Sequence, residues 1–203
     1  MLEYNGIVEI AGKKGSGRTN LVLKESLCKR TLFISVKPFP INRYADLLTK
    51  KYGNSILEID NHLNNTFIII ISQIEKMEAF ILHKLDSMVK QHGIALIVLY
   101  EIDFVLLDDC IEMSSIFHIM NKLHRIRHSN GLHVVFVTLY RKVFSYNYNI
   151  RMSMEYFINE RYHVIRRNGE RTITRIGHIN DGVFNMQITN DDVTCARAKG
   201  NEN

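Results

Sequence analysis

The chain is poor in cysteine, proline and tryptophan, with three, two and none in 203 residues. Cys28, Cys110 and Cys195 make no Cys-x-x-Cys pair and no Cys/His grid, which excludes a disulfide framework and a finger-type zinc site. Long apolar runs are also missing. The longest, 67–71 and 94–100, fall far below the roughly 20 residues that span a bilayer. The opening MLEYNGIVEIAG has no basic region leading into an apolar signal core. Neither secretion nor membrane insertion is expected, and a reducing compartment fits the cysteine pattern. Little net charge is present: 26 Lys and Arg against 21 Asp and Glu leave +5, which is compatible with a nucleic-acid partner without requiring one. What is there, 46% apolar and 23% charged residues, is the composition of one compact domain. The nine histidines are scattered, as expected of surface or satisfied core residues.

Along the chain, short β-branched runs alternate with stretches of helical spacing. Residues 7–11 form an apolar run that stops at Gly12-Lys13-Lys14-Gly15-Ser16-Gly17, and 18–29 then carry helical periodicity through Leu21, Val22, Glu25 and Cys28. A second strand is expected at 31–36, ended by Pro38 and Pro40, which supply no ladder donor. Helical spacing over 41–52 stops at Gly53. A polar turn at 61–66 leads into a strand at 67–72. An amphipathic helix over 75–91 follows, through Met77, Phe80, Ile81, Leu85 and Met88. A central strand at 94–100, a helix at 113–128 and a strand at 132–138 continue the alternation. Residues 161–166 and 171–176 flank Asn168-Gly169, the strongest hairpin signal in the sequence, and 184–188 make a last short strand. Arg166, Arg167, Arg171 and Arg175 are expected on a solvated face of that hairpin. Together these features predict an α/β fold: a mostly parallel twisted sheet flanked by helices and closed by an antiparallel β-hairpin.

Residues 12–19, GKKGSGRT, match the phosphate-loop spacing GxxxxGK[ST] at every defined position except the lysine, which is Arg18. Gly12, Gly15 and Gly17 let successive N–H groups turn inward around phosphate oxygens. The following helix start adds partial positive charge, and Thr19 places a hydroxyl where a metal ion would sit. Arginine keeps the charge of the missing lysine but presents a broad planar fork. Two readings of these residues stay open: a loop that binds nucleotide, and a glycine turn kept because sheet and helix pack through it.

The segments IVEIAGKKGSGRTNLVL, ALIVLYEIDFVLL, GLHVVFVTLYRK, GERTITRI and VFNMQITNDDV occur in the order and near the spacing of the core of the RecA-like strand-exchange recombinases. The chain resembles that family, in particular the eukaryotic recombinase and its paralogues, over 5–193. The resemblance implies a RecA-like P-loop core over 1–193 with a disordered tail at 194–203. It also implies a site for ATP with Mg2+ and a nuclear location. Few residues precede the first strand, so the chain is expected to accept a neighbour's docking segment without donating one. The implied partner is another recombinase paralogue or the recombinase itself.

Several positions depart from the family together. Lys37 stands nearest the place of the glutamate that activates water. Tyr100 replaces the acidic residue that organises the metal shell, with Glu101 next to it, and Thr138-Leu139-Tyr140 lacks the glutamine that links nucleotide to DNA. Phosphoryl transfer depends on positioning, metal and charge compensation, so these changes predict a degenerate ATPase slowed by orders of magnitude. Glu101, the catalytic candidate, or Asp103 could rescue the metal site by a one-residue bulge or through water.

Of the two loops that hold DNA in the family, the first counterpart, 106–114, is acidic. The second, 141–152, carries Arg141, Lys142 and Arg151 with Phe144, Tyr146 and Tyr148 between them. Cations neutralise phosphates while aromatic faces take unstacked bases. A solvated loop whose aromatics pack back on the domain is the alternative. The expected function is therefore a noncatalytic recombinase paralogue in a heteromeric complex. It would bind single-stranded or forked DNA and promote assembly or stability of the recombinase filament in homologous recombination and DNA repair. The alternatives are a DNA-dependent ATPase in which Arg18 and Glu101 substitute for the usual groups, and a scaffold that binds neither ATP nor DNA.

Overall fold

The computed structural model describes residues 6–102, 112–139, 154, 156–167, 170–176, 184–188 and 193–197. The apolar runs fold as strands β1 (Ile7–Gly12), β2 (Thr31–Ser35), β3 (Thr66–Ile70), β4 (Leu96–Tyr100) and β5 (His133–Leu139). They join β6 (Glu160–Arg167), β7 (Glu170–Ile176), β8 (Phe184–Ile188) and β9 (Val193–Arg197) in one nine-stranded sheet of order β3-β2-β4-β5-β1-β6-β7-β8-β9. Strands β3 through β6 in that order run parallel, and β7, β8 and β9 continue antiparallel.

The helices are α1 (Arg18–Ser26), α2 (Ile41–Tyr52), α3 (Ile56–Leu63), α4 (Ile74–His83), α5 (Leu85–His92) and α6 (Met113–Asn130). Strand alternation sorts the core into two layers. Leu32, Ile34, Ile97, Leu99, Val134 and Phe136 face Met77, Ile81, Leu85 and Leu123 of α4, α5 and α6. Phe33, Val98, Val135 and Val137 face Leu21, Val22, Tyr44 and Leu48 of α1 and α2. Central strands covered on both sides have no polar face, which is why they read as continuous apolar runs. Each fully buried aliphatic side chain contributes about 1.5–3 kcal/mol.

The structure corrects the sequence expectation in four places. The single helix expected over 75–91 is two, broken at Lys84 with φ −116. Met77, Ile81, Leu85 and Val89 all point into the core at four-residue spacing. An unbroken α-helix would rotate that row by about 40° at every step, and the break resets the phase. Helix α3 occupies part of the expected polar turn. Its Ile56 and Leu57 are 74% and 73% exposed; Ile59 packs on the core, and His62 Nε2 adds a polar contact to the Tyr44 hydroxyl at 2.8 Å. Strand β9, paired with β8, extends the sheet past the boundary expected at 193. The hairpin arginines do not form a purely solvated face: Arg175 Nη2 donates to Glu160 Oε1 at 2.8 Å, and Arg171 lies against Gly17.

Candidate phosphate-binding site

β1 delivers the chain to the carboxyl edge of the sheet between β5 and β6, and the glycine turn there leads directly into α1. Gly12 is the tightest point. A Cβ on it would stand 2.4 Å from Ser16 Oγ and 2.7 Å from the Val164 carbonyl of β6. Gly15 lies in the turn closed by Ser16 N–H donating to the Lys13 carbonyl at 3.1 Å. Gly17 is the residue before α1, with φ 104, and a side chain there would strike Arg171 Cδ at 2.9 Å. No side chain caps α1, so its first N–H groups keep their capacity for an anion.

Two loop side chains add unsatisfied buried groups. Ser16 and Arg18 are 3% and 5% exposed, and among the described residues Ser16 Oγ and Arg18 Nη1 have no hydrogen-bond partner. Unpaired buried donors are costly, and an anion seated in the loop would satisfy both.

The end of β4 faces the loop, and here the chemistry changes. Arg18 Nη2 donates to Glu101 Oε1 at 3.3 Å, and Lys37 Nζ lies 4.0 Å from Glu101 Oε2. Glu101 adopts φ 53, the one left-handed non-glycine among the described residues, and its N–H donates to the Val137 carbonyl at 2.9 Å. Such a conformation costs on the order of 1 kcal/mol and persists where the surroundings over-determine it. The Thr19 and Tyr100 hydroxyls share a buried hydrogen bond of 2.9 Å. Burial, aided by the Glu101 charge and opposed by the Thr19 bond, pushes the Tyr100 phenol up from its ordinary value. It therefore stays a neutral hydroxyl near neutral pH.

These donors suit phosphate and do not suit Mg2+. Magnesium favours carboxylate and phosphate oxygens in octahedral array. Yet Thr19 is held by a phenol, and Glu101 is committed to two cations. Among the described residues no group of three or more His, Cys, Asp or Glu side chains converges as a ligand set.

Of the residues expected from sequence, Gly12, Gly15, Gly17, Arg18, Thr19 and Glu101 come together in this one place. Arg141, Lys142, Tyr146, Tyr148 and Arg151, expected to touch DNA, lie outside the described residues, as does 106–111 of the acidic loop.

Two features beside the loop were not foreseen. Glu9, the one charged residue of β1, accepts from Thr138 Oγ1 at 2.7 Å and pairs with Arg161 Nε of β6. A lone glutamate inside IVEIAG is the signal that could have revealed a partner, since a half-buried carboxylate needs one. The second feature is a groove of about 520 Å³ between the loop and β6, with Lys13, Lys14 and Ser16 on one wall and His163, Ile165 and Arg166 on the other. Burial, together with the charge of Lys13 and against that of Glu9, lowers the His163 pKa.

Fold and site together define an α/β domain with a phosphate-type loop at the carboxyl edge of a mostly parallel sheet. No protein-family model matches the chain, and no curated protein matches it at a significant level.

Proposed function

We propose that the chain is a noncatalytic paralogue of the RecA-like recombinases. It works in a heteromeric complex, binds single-stranded or forked DNA, and promotes assembly or stability of the recombinase filament in homologous recombination and DNA repair in the nucleus. The observation that carries this reading is the pairing of a well-formed glycine loop with occupied chemistry, Arg18 on Glu101 and Thr19 on Tyr100. An ATPase needs those groups for nucleotide and metal, and here Arg18 Nη2 and the Thr19 hydroxyl are engaged by Glu101 and Tyr100.

A partner surface is available in principle at the sheet edge. Among the described residues β3 pairs only with β2, and its Ile68 and Ile70 are 38% and 58% exposed. An open strand edge with apolar side chains suits an extended segment of a recombinase-type subunit.

Affinity purification of the tagged full chain from its native cell, followed by mass spectrometry, tests the reading. Recovery of a recombination protein supports it; repeated recovery of none overturns it. For the DNA contact, Arg141→Ala with Lys142→Ala should weaken binding similarly across sequences. It should also reduce the salt slope by about 1.4–1.8, from roughly 0.7–0.9 per phosphate contact. Unchanged affinity at every salt concentration removes 141–152 from the interface.

A further inference from the structure

We infer that the glycine loop takes a diphosphate group without metal, as in a nucleoside diphosphate or pyrophosphate, and that Glu101 is the residue that discriminates against a triphosphate. The inference rests on the phosphate-loop reading of 12–19 and is independent of any DNA or partner role.

The loop holds a buried hydroxyl and a buried guanidinium nitrogen, Ser16 Oγ and Arg18 Nη1, that have no partner among the described residues, beside the uncapped start of α1. These are anion-seeking groups, and they lie on the backbone cradle that receives phosphates in loops of this spacing. The other nitrogen of the same guanidinium, Nη2, is bound to the Glu101 carboxylate, which Lys37 also approaches. In such loops the basic side chain at the position of Arg18 reaches toward the terminal phosphates. A carboxylate already resident on that cation stands where a further phosphoryl group would bring its own negative oxygens.

Compensating for that like charge would require a metal ion. Thr19, the loop's hydroxyl ligand, is instead hydrogen-bonded to Tyr100, which remains a neutral phenol. The backbone of Glu101, held at φ 53 and tied to Val137, keeps the carboxylate in place. The result is a site with donors for a short phosphate chain and a built-in anion at its far end. Room for a nucleoside lies alongside, in the groove that Lys13 and Arg166 flank.

Isothermal titration calorimetry on the full chain with ADP, ATP and pyrophosphate, each with Mg2+ and with chelator, tests this directly. ADP should bind with an affinity that changes less than about threefold when Mg2+ is removed, and ATP should bind at least about tenfold more weakly, about 1.4 kcal/mol. Glu101→Gln should strengthen ATP until the two nucleotides differ by less than about threefold. Arg18→Ala should lose diphosphate binding, with Arg18→Lys retaining it and thermal melting showing both variants folded. Pyrophosphate matching ADP would confine recognition to the loop; ADP binding tighter than pyrophosphate would bring in the groove. Both support the diphosphate assignment. Mg2+-dependent ATP binding tighter than ADP overturns the inference, as does weaker ATP binding in Glu101→Gln, the mark of a metal ligand. Absence of heat with ADP and pyrophosphate in both the wild type and Glu101→Gln also overturns it. None of these results bears on partner capture, so the two readings fail separately.

Discussion

The turn from Gly12 to Thr19 and the end of β4 at Tyr100 and Glu101 face each other, yet they are built in different ways. The first is built by backbone: glycines at contacts too close for a Cβ, and an uncapped helix start. The second is built by side chains, a neutral phenol and a carboxylate paired to cations. Backbone geometry is over-determined by packing on β6 and α1, so it resists change without loss of the fold. Side-chain chemistry can be exchanged at a smaller cost in stability. A loop can therefore keep its shape while the groups around it change task.

The largest effect expected from this contrast comes from the backbone half. Gly12→Val places methyl groups against Ser16 and the Val164 carbonyl. It should destabilise the chain by about 3 kcal/mol or more, read as a lowered urea midpoint. A midpoint within error of the wild type would mean that the loop is not locked to β6.

Next comes the pair that flanks the loop. Glu9→Ala strips Thr138 and Arg161 of their common acceptor and should cost about 2–3 kcal/mol in the same measurement. On the side-chain half, Tyr100→Phe leaves the buried Thr19 hydroxyl without its partner and should cost about 1–2 kcal/mol. A larger loss than that of Gly12→Val would reverse the contrast.

The smallest effect concerns α3. Burial, with Lys51 adding to it, lowers the His62 pKa below 6.5. The folded state thus favours the neutral ring, so this contribution is present above the unfolded value and is lost as pH falls below it through the folded pKa. Equilibrium unfolding between pH 7.5 and 5 should show a shallower loss of stability in His62→Gln than in the wild type. Parallel profiles would remove His62 as an anchor of α3.

How much of this was legible in the sequence follows the same division. The glycine spacing revealed the loop because backbone requirements leave a residue signature. The buried strands showed as apolar runs because both their faces are covered, and the alternation on either side of Asn168-Gly169 pointed to the antiparallel pair β6 and β7. Helix α3 escaped because Ile59 alone of its apolar residues packs on the core, while a tyrosine–histidine hydrogen bond adds the rest of its anchorage. The break at Lys84 escaped because a run of four-residue spacings resembles one amphipathic helix until its drift is counted. The Arg18–Glu101 pair joins residues 83 apart, and only the topology that sets β4 opposite the loop brings them together. The sequence marked Glu101 as a possible catalytic rescue, but not the cation that already holds it.

We propose, as the central claim, that the glycine loop is well formed while the groups beside it, Arg18 on Glu101 and Thr19 on Tyr100, do not support phosphoryl transfer. Steady-state ATP turnover by the full chain, with Mg2+ and single-stranded DNA, tests it most directly. The account predicts a rate indistinguishable from that of Arg18→Ala. DNA-stimulated turnover that Arg18→Ala and Glu101→Ala each abolish would contradict it.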